Sequence, residues 1–265
     1  MSDTGIRALP GVYPVDLGDG VHAFFTSGAG GVSPAPWSTP GGDGLNLGLN
    51  VSDDAARVAA NRALAAERLG APVAFATQVH GDTVLALGPA EREQWAAPRP
   101  PSSAGEGDAL VTTERGLGLG VLVADCVPVL LADPEAGVVG VAHAGRQGVL
   151  AGVVHRALDA LVARGADTAR VRAAVGPAVC GRCYEVPGAM RDEVAAAVPQ
   201  AFATTRAGTP GLDLPAGVVA QLAERGVAAT RVPQCTLEEP GLFSHRRASA
   251  AGTTTGRQAG IIALI

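Results

Sequence analysis

The stretch LGLGVLVADCVPVLLADPEAGVVGVAHAG, residues 117–145, decides the fold. It holds three apolar runs, at 117–124, 127–132 and 138–142. Each is too short for a typical helix and rich in Val and Leu, the pattern of strands buried on both faces. The segment Asp133-Pro134-Glu135-Ala136-Gly137 joins the last two runs as a hairpin connection. A turn centred on Pro134 and Glu135 sets Cys126 opposite His143. Directly opposed residues of an antiparallel pair share a face, with Cβ atoms roughly 4.5–5.5 Å apart. That separation suits two ligands of one metal ion.

Working outward, 108–112 reads as a further buried strand. Residues 72–76 and 83–87 read as short strands flanking Gln78-Val79-His80-Gly81. Upstream, 21–26 is a strand, followed by a Gly/Pro/Ser-rich loop over 27–50. Ser52 or Asp53 caps a helix that runs to Leu69. Residues 88–107 read as a surface excursion. Downstream of the hairpin, Leu150, Val153, Val154, Ala157, Leu158, Leu161 and Val162 mark one long helix with a single buried stripe. Strands are expected at 171–175 and 259–265, and helices at 187–198 and 215–226. The expectation is a single α+β domain over residues 1–265, with mixed β-sheets sandwiched between helices in α/β/β/α layers.

Composition excludes several functions. Hydrophobic residues make up 47% of the 265-residue chain and charged residues 17%, so a large core is available. Aromatic residues are only 3%, which leaves the core to Val, Leu and Ala. A net charge of −5 argues against a nucleic-acid surface. All 20 basic residues are Arg. With no lysine, Schiff-base catalysis and a Walker A loop are ruled out. Anions must then be held by Arg or backbone amides. No apolar run reaches the roughly 18 residues of a membrane span. The N-terminal MSDTGIRALPG has no signal-peptide core. A cytoplasmic setting is expected, with Cys126, Cys180, Cys183 and Cys235 as thiols or metal ligands.

His80, in its Gly-flanked turn, is the best third partner for Cys126 and His143. Two imidazoles, one thiolate and an open fourth position form a catalytic zinc pattern. The alternative for each residue alone is a small buried hydrophobe or a satisfied histidine. Cys180-Gly-Arg-Cys183 is a CxxC with no second CxxC to pair with, and reads as structural or as lining of the site. Arg146, at the entry of the long helix, can bind an anion. His22 and His155 have no expected role.

Together these motifs resemble one family. They are Thr77-Gln-Val-His-Gly81, Gly107-Asp-Ala-Leu110, Ala124-Asp-Cys126, Ala142-His-Ala-Gly145, Gly176-Pro-Ala-Val-Cys-Gly-Arg-Cys-Tyr-Glu-Val186 and Phe243-Ser-His-Arg-Arg247. Gly30-Gly-Val-Ser33, Asn46-Leu-Gly48 and Asn61-Arg62 extend the match. The chain resembles the bacterial laccase-domain family, also called multicopper polyphenol oxidases. The resemblance implies one α+β domain and zinc held by His80, Cys126 and His143. It also implies phosphorolysis of purine nucleosides and methylthioadenosine, with adenosine deamination; the older label is copper-dependent phenol oxidation. The chain departs from the family pattern at two places. Ser27-Gly28-Ala29 stands where an Arg-bearing T-R-x-G-G-V-S is common, and His143-Ala-Gly-Arg-Gln-Gly148 replaces H-A-G-W-R-G. Both touch expected substrate or phosphate contacts.

Three enzymatic readings follow. The first is a zinc-dependent purine nucleoside enzyme. Its expected catalytic residues are His80, Cys126, His143 and Asp125, the last as proton carrier or as partner of a ligand. Asn46, Arg62, Gln78, Arg146, Glu185 and Arg246 are its expected substrate contacts. Its partners would be a purine nucleoside and phosphate, with no nucleic acid or membrane, acting as a monomer or small homo-oligomer. The second is a copper (Cu2+) phenol oxidase, although five His are too few for a four-copper cluster. The third is a cysteine hydrolase acting on cell-wall precursor peptides, with Cys126 as nucleophile and His143 as base. A non-enzymatic metal-binding protein is a fourth reading, disfavoured by the open ligand position.

Overall fold

The computed structural model describes residues 11–265. Residues 1–10, which carry most of the stretch read for a signal peptide, lie outside them.

Two sheets stack face to face. The five-stranded sheet runs Val12–Pro14, Val21–Thr26, Gln258–Leu264, Gly118–Val123, Val73–Phe75 from edge to edge. Its neighbours are antiparallel except the last pair. The six-stranded sheet runs Ala229–Arg231, Arg172–Val175, Val127–Asp133, Val138–Ala144, Ala109–Thr112, Val84–Leu87. Its outermost pairs are parallel and its inner pairs antiparallel. A two-stranded ribbon, Phe202–Thr204 with Pro210–Leu212, stands apart.

The alternation of side chains explains the continuous apolar runs. Leu110, Leu130, Val139 and Val141 face the other sheet, against Phe24, Phe25, Leu119, Val121 and Ile261. Val111, Val129, Leu131 and Ala142 point the opposite way, onto Val154, Ala157, Leu158 and Leu161 of the Val153–Val162 helix. Both faces of the central strands are buried, so polar residues are confined to their ends, at Asp133 and His143. Ala65 and Leu69 of the Ala55–Leu69 helix close the far side of the first core. The expected α+β sandwich is the observed one. Where an aromatic ring does pack between strands the backbone beneath it is bare: a Cβ on Gly120 would lie 2.2 Å from the Phe75 ring.

Four local expectations are corrected. The hairpin turn spans four residues, because Asp133 pairs with Val138. Pro128, not Cys126, therefore faces His143. The register moves by two positions, an even step, so Cys126 stays on the His143 face as its diagonal neighbour. The long helix is two helices, Arg146–Ala151 and Val153–Val162, broken at Gly152 where φ is +80°. The excursion at 88–107 hides a short helix, Pro89–Trp95. Glu91 accepts from the Gly88 amide at 2.8 Å, and Trp95 is seated in the core. The Ala55–Leu69 helix is capped by Asp54, which accepts from Ala56 and Arg57.

The 27–50 loop contains the strand Ala29–Ser33 and is tied down by Asn61. The buried Asn61 amide accepts from the Val32 amide at 2.9 Å and donates to the Gly44 and Asn46 carbonyls and the Ser33 hydroxyl. Asn61→Ala leaves several buried groups unpaired, at about 1–3 kcal/mol each. Urea unfolding of that variant is expected to show a loss of about 3 kcal/mol or more.

Candidate functional site

His80, Cys126 and His143 meet at one end of the two sheets, with one donor atom from each within 4.8 Å of the others. Cys126 Sγ lies 3.8 Å from His80 Nε2. The two imidazole rings are edge to face, 4.7 Å between centroids. Cys126 directly precedes the Val127–Asp133 strand and His143 sits within Val138–Ala144, so the hairpin delivers both.

His80 is delivered by a strained turn, with φ at +65°, a region non-glycine residues seldom occupy. Asp108 holds that turn. The residue is 2% exposed, and its carboxylate accepts from the amides of Val79, His80 and Gly81 at 3.1, 2.9 and 2.7 Å. The same carboxylate lies 2.8 Å from His143 Nδ1. One side chain thus holds the His80 turn and the His143 ring, and leaves His143 Nε2 as the nitrogen that could take a metal, as in carboxylate–histidine metal sites. Burial works against the Asp108 charge, but the His143 ring and the amides hold its carboxyl below the usual range. Gln78 splints the turn from the other side, bonding both Leu122 backbone groups at 2.8 Å.

The pair beneath is ionised. Burial opposes a thiolate at Cys126, yet the positive His143 and the His80 contact pull its pKa down to about 6. Burial opposes imidazolium at His143, but the Cys126 thiolate and Asp108 raise it to about 9. In chelator-stripped protein, alkylation of Cys126 by iodoacetamide is expected to rise through about pH 6 and to be flat by neutral pH. Zinc should block it. An alkylation midpoint near the ordinary thiol value of about 8.5 would contradict the ion pair.

Two cavities open on the triad and share His80, Ala124, Cys126 and His245. The larger, about 380 Å³, is also lined by Arg62, Gln78, His143 and Arg257. The smaller, about 240 Å³, is lined by Asp125, Arg146, Tyr184 and Arg246.

The expected substrate contacts divide between them. Arg62 stacks on Phe75 at 4.5 Å and donates to Leu47 O and Ser102 O; burial lowers its pKa to about 10. Gln78 lines the wall with both polar ends spent on Leu122. Arg146 and Arg246 face the smaller cavity. Asn46 is fully buried, its amide committed to Gly48, Asp53 and the Arg257 backbone. It supports Arg257 from behind. The Glu185 side chain is exposed, while its carbonyl accepts from Arg246 at 2.9 Å. Asp125, at φ +95°, accepts from the Thr236 hydroxyl at 2.6 Å and the Arg246 amide at 2.7 Å. Both carboxylate oxygens are engaged by these two groups and neither by His80, Cys126 or His143, so Asp125 holds the Arg246 backbone in place.

Sequence reasoning passed over Asp108, His245 and Arg257. Asp108 and His245 lie inside motifs quoted above, but no spacing rule marks a carboxylate whose partners are backbone amides 27 to 29 residues away. His155, given no role, bonds Gln221 O at 3.2 Å, far from the triad in the helical layer. Among the described residues, no helix is long and apolar enough to cross a membrane.

Comparison with known proteins identifies the family of the chain. Residues 22–265 match the family model for multi-copper polyphenol oxidoreductase laccase. The purine nucleoside phosphorylase ORF3 of Streptomyces griseus is 52% identical, over 91% of this chain and 93% of that protein. A purine nucleoside phosphorylase of Streptomyces coelicolor is 50% identical, over 93% and 97%. The crystal structure of Bacillus licheniformis hypothetical protein YfiH superposes with a TM-score of 0.84 at 31% identity, over 97% of this chain and 98% of that one. The chain therefore belongs to the multi-copper polyphenol oxidoreductase laccase family, several of whose members are named purine nucleoside phosphorylases.

Proposed function

We propose that this chain is a zinc-dependent purine nucleoside phosphorylase acting on adenosine, inosine and guanosine. Methylthioadenosine cleavage and adenosine deamination are included as activities of the same site. The observation that carries the reading is a three-donor centre set between two cavities, each with its own arginines. The names of the relatives support it.

His80, Cys126 and His143 would hold the ion. The donor set fits, since the three ligand atoms converge and Asp108 leaves His143 Nε2 free. When bound, zinc supplies Lewis acidity. Copper would accept the same donors, so metal identity is part of the proposal.

The remaining work falls to the chain's own groups. The larger cavity takes the nucleoside; its volume lies within the usual range for small-molecule sites. The smaller takes phosphate. Arg62 and Arg257 already spend donors on backbone carbonyls. Arg146 has only a 3.9 Å contact with Glu193, and Arg246 one bond to Glu185 O, so these two keep donors for an anion. A phosphate oxygen forms the bond to C1′ as the glycosidic C–N bond breaks, and the electron pair leaves with the purine. The purine then takes a proton. His245, on the wall of both cavities, is the side chain set to supply it. Asp125 fixes the backbone from which Arg246 projects. A cytoplasmic setting, which keeps thiols reduced, suits this reading.

Zinc-loaded protein with inosine is expected to release hypoxanthine only when phosphate is present, with one ribose 1-phosphate formed per base. Phosphate-independent release, or none, would overturn the reading. Arg246→Ala should raise the KM for phosphate roughly 10- to 100-fold, the worth of one charge-assisted hydrogen bond, with little change for inosine.

One observation favours a second reading. A Cys126 thiolate near pKa 6 beside a protonated His143 is also a nucleophile–acid pair. That enzyme would be active without metal and would be inhibited by zinc.

A further inference from the structure

Three of the four cysteines take no part in this centre, yet they lie together. Cys180, Cys183, Cys235 and Glu238 each bring a donor atom to within 4.8 Å of the others. They come as two pairs of identical spacing, Cys180-Gly-Arg-Cys183 and Cys235-Thr-Leu-Glu238. Each pair sits on a tight turn closed by the same backbone bond. Cys183 N donates to Cys180 O at 2.9 Å, and Glu238 N to Cys235 O at 3.1 Å. The turns abut, with the Cys180 amide donating to Cys235 Sγ at 3.4 Å and Ala178 bridging to Cys235. Four side-chain donors arriving as two close pairs from separate loops is the layout of a closed, structural zinc site. The catalytic centre differs, having three donors and an open position.

Charge points the same way. A divalent cation bound here would take the three sulfurs as thiolates beside the Glu238 carboxylate and turn their mutual repulsion into attraction. The excess negative charge is met by arginines. Arg206 pairs with Glu238, and Arg182 and Arg231 line the adjoining cavity. The Glu238 carboxylate has two oxygens, one for Arg206 and one for a metal.

We propose that Cys180, Cys183, Cys235 and Glu238 form a second zinc site, structural in role, that staples the 180–185 loop to the 235–239 loop. Residues within or just beyond the two turns build the wall of the smaller cavity. Tyr184 lines it, Glu185 O holds Arg246, and the Thr236 hydroxyl holds Asp125. Zinc here fixes that wall without touching substrate.

The test is zinc content of the full-length protein, grown with added zinc, alongside absorption of its cobalt-loaded form. Wild type is expected to hold about two zinc ions per chain, with about one each in Cys126→Ala and in the double variant Cys183→Ser/Cys235→Ser. Cobalt-loaded Cys126→Ala should keep strong thiolate-to-cobalt charge transfer, which only the other three cysteines can give. A metal-free Cys126→Ala protein overturns the proposal. So does a disulfide among Cys180, Cys183 and Cys235 in the intact mass of anaerobically purified protein. If the double variant does not fold, the Cys126→Ala result decides alone. Wild type holding about one zinc, undiminished in Cys126→Ala, would support this site and undo the catalytic one.

Discussion

Cys126→Ala is expected to lose the metal of the catalytic centre and about 1000-fold or more of kcat/KM for inosine phosphorolysis. Lewis-acid stabilisation is worth several kcal/mol, and each 1.36 kcal/mol is a factor of ten. Cys126 is the only sulfur donor of the triad, and its thiolate is also the counter-charge of His143. Removing it leaves two imidazoles held by Asp108 and by the strained His80 turn, too few donors to retain zinc. Cys126→Ser separates ligation from packing. It keeps the shape, so with the proteins stripped of metal its thermal unfolding should lie closer to wild type than that of Cys126→Ala, while turnover with zinc falls as in the alanine variant. Steady-state kinetics and a melting curve on the two proteins check this. A serine variant with near-normal turnover would mean that the thiolate is not needed.

Asp108→Asn should weaken zinc binding roughly 10- to 100-fold, as loss of a ligand's hydrogen-bonded carboxylate does elsewhere. It should also cost stability, because this one buried carboxylate receives three backbone amides and the His143 ring. An asparagine oxygen can accept some of these bonds, but its amide nitrogen would point donor to donor at the rest. The sign with pH follows from the depressed carboxyl. Asp108 stabilises the fold fully above its unfolded pKa of about 3.9, and that contribution is lost as pH falls through the lower folded value. Wild type should therefore lose stability in strong acid more steeply than Asp108→Asn. Zinc competition with a chromophoric chelator and acid titration of unfolding measure the two effects.

The central sheets were legible because both faces of residues 127–133 and 138–144 are buried, so hydrophobicity alone marks them. Their register was legible only to within two positions. Turn length is set by the four-residue 134–137 loop and not by the apolar pattern, yet parity survived, and parity is what brings Cys126 and His143 together. The break at Gly152 was hidden because the apolar stripe continues across it; only the backbone conformation of one glycine divides the helix. Asp108 escaped because its partners are amides brought near by the fold. Glu238 escaped for a related reason, since its relation to the CxxC depends on the parallel bridge between Ala178 and Cys235. A CxxE is no recognised half of a pair until a second half lies beside it.

The most direct measurement is a zinc titration of chelator-stripped protein, following hypoxanthine release from inosine at saturating phosphate and, in parallel, protection of Cys126 from alkylation. Activity should be absent at the start and rise in step with Cys126 protection, levelling off when the thiolate is fully shielded. Full activity in the stripped protein, or activity that rises while Cys126 stays reactive, would show that zinc held by His80, Cys126 and His143 does not drive the phosphorolysis.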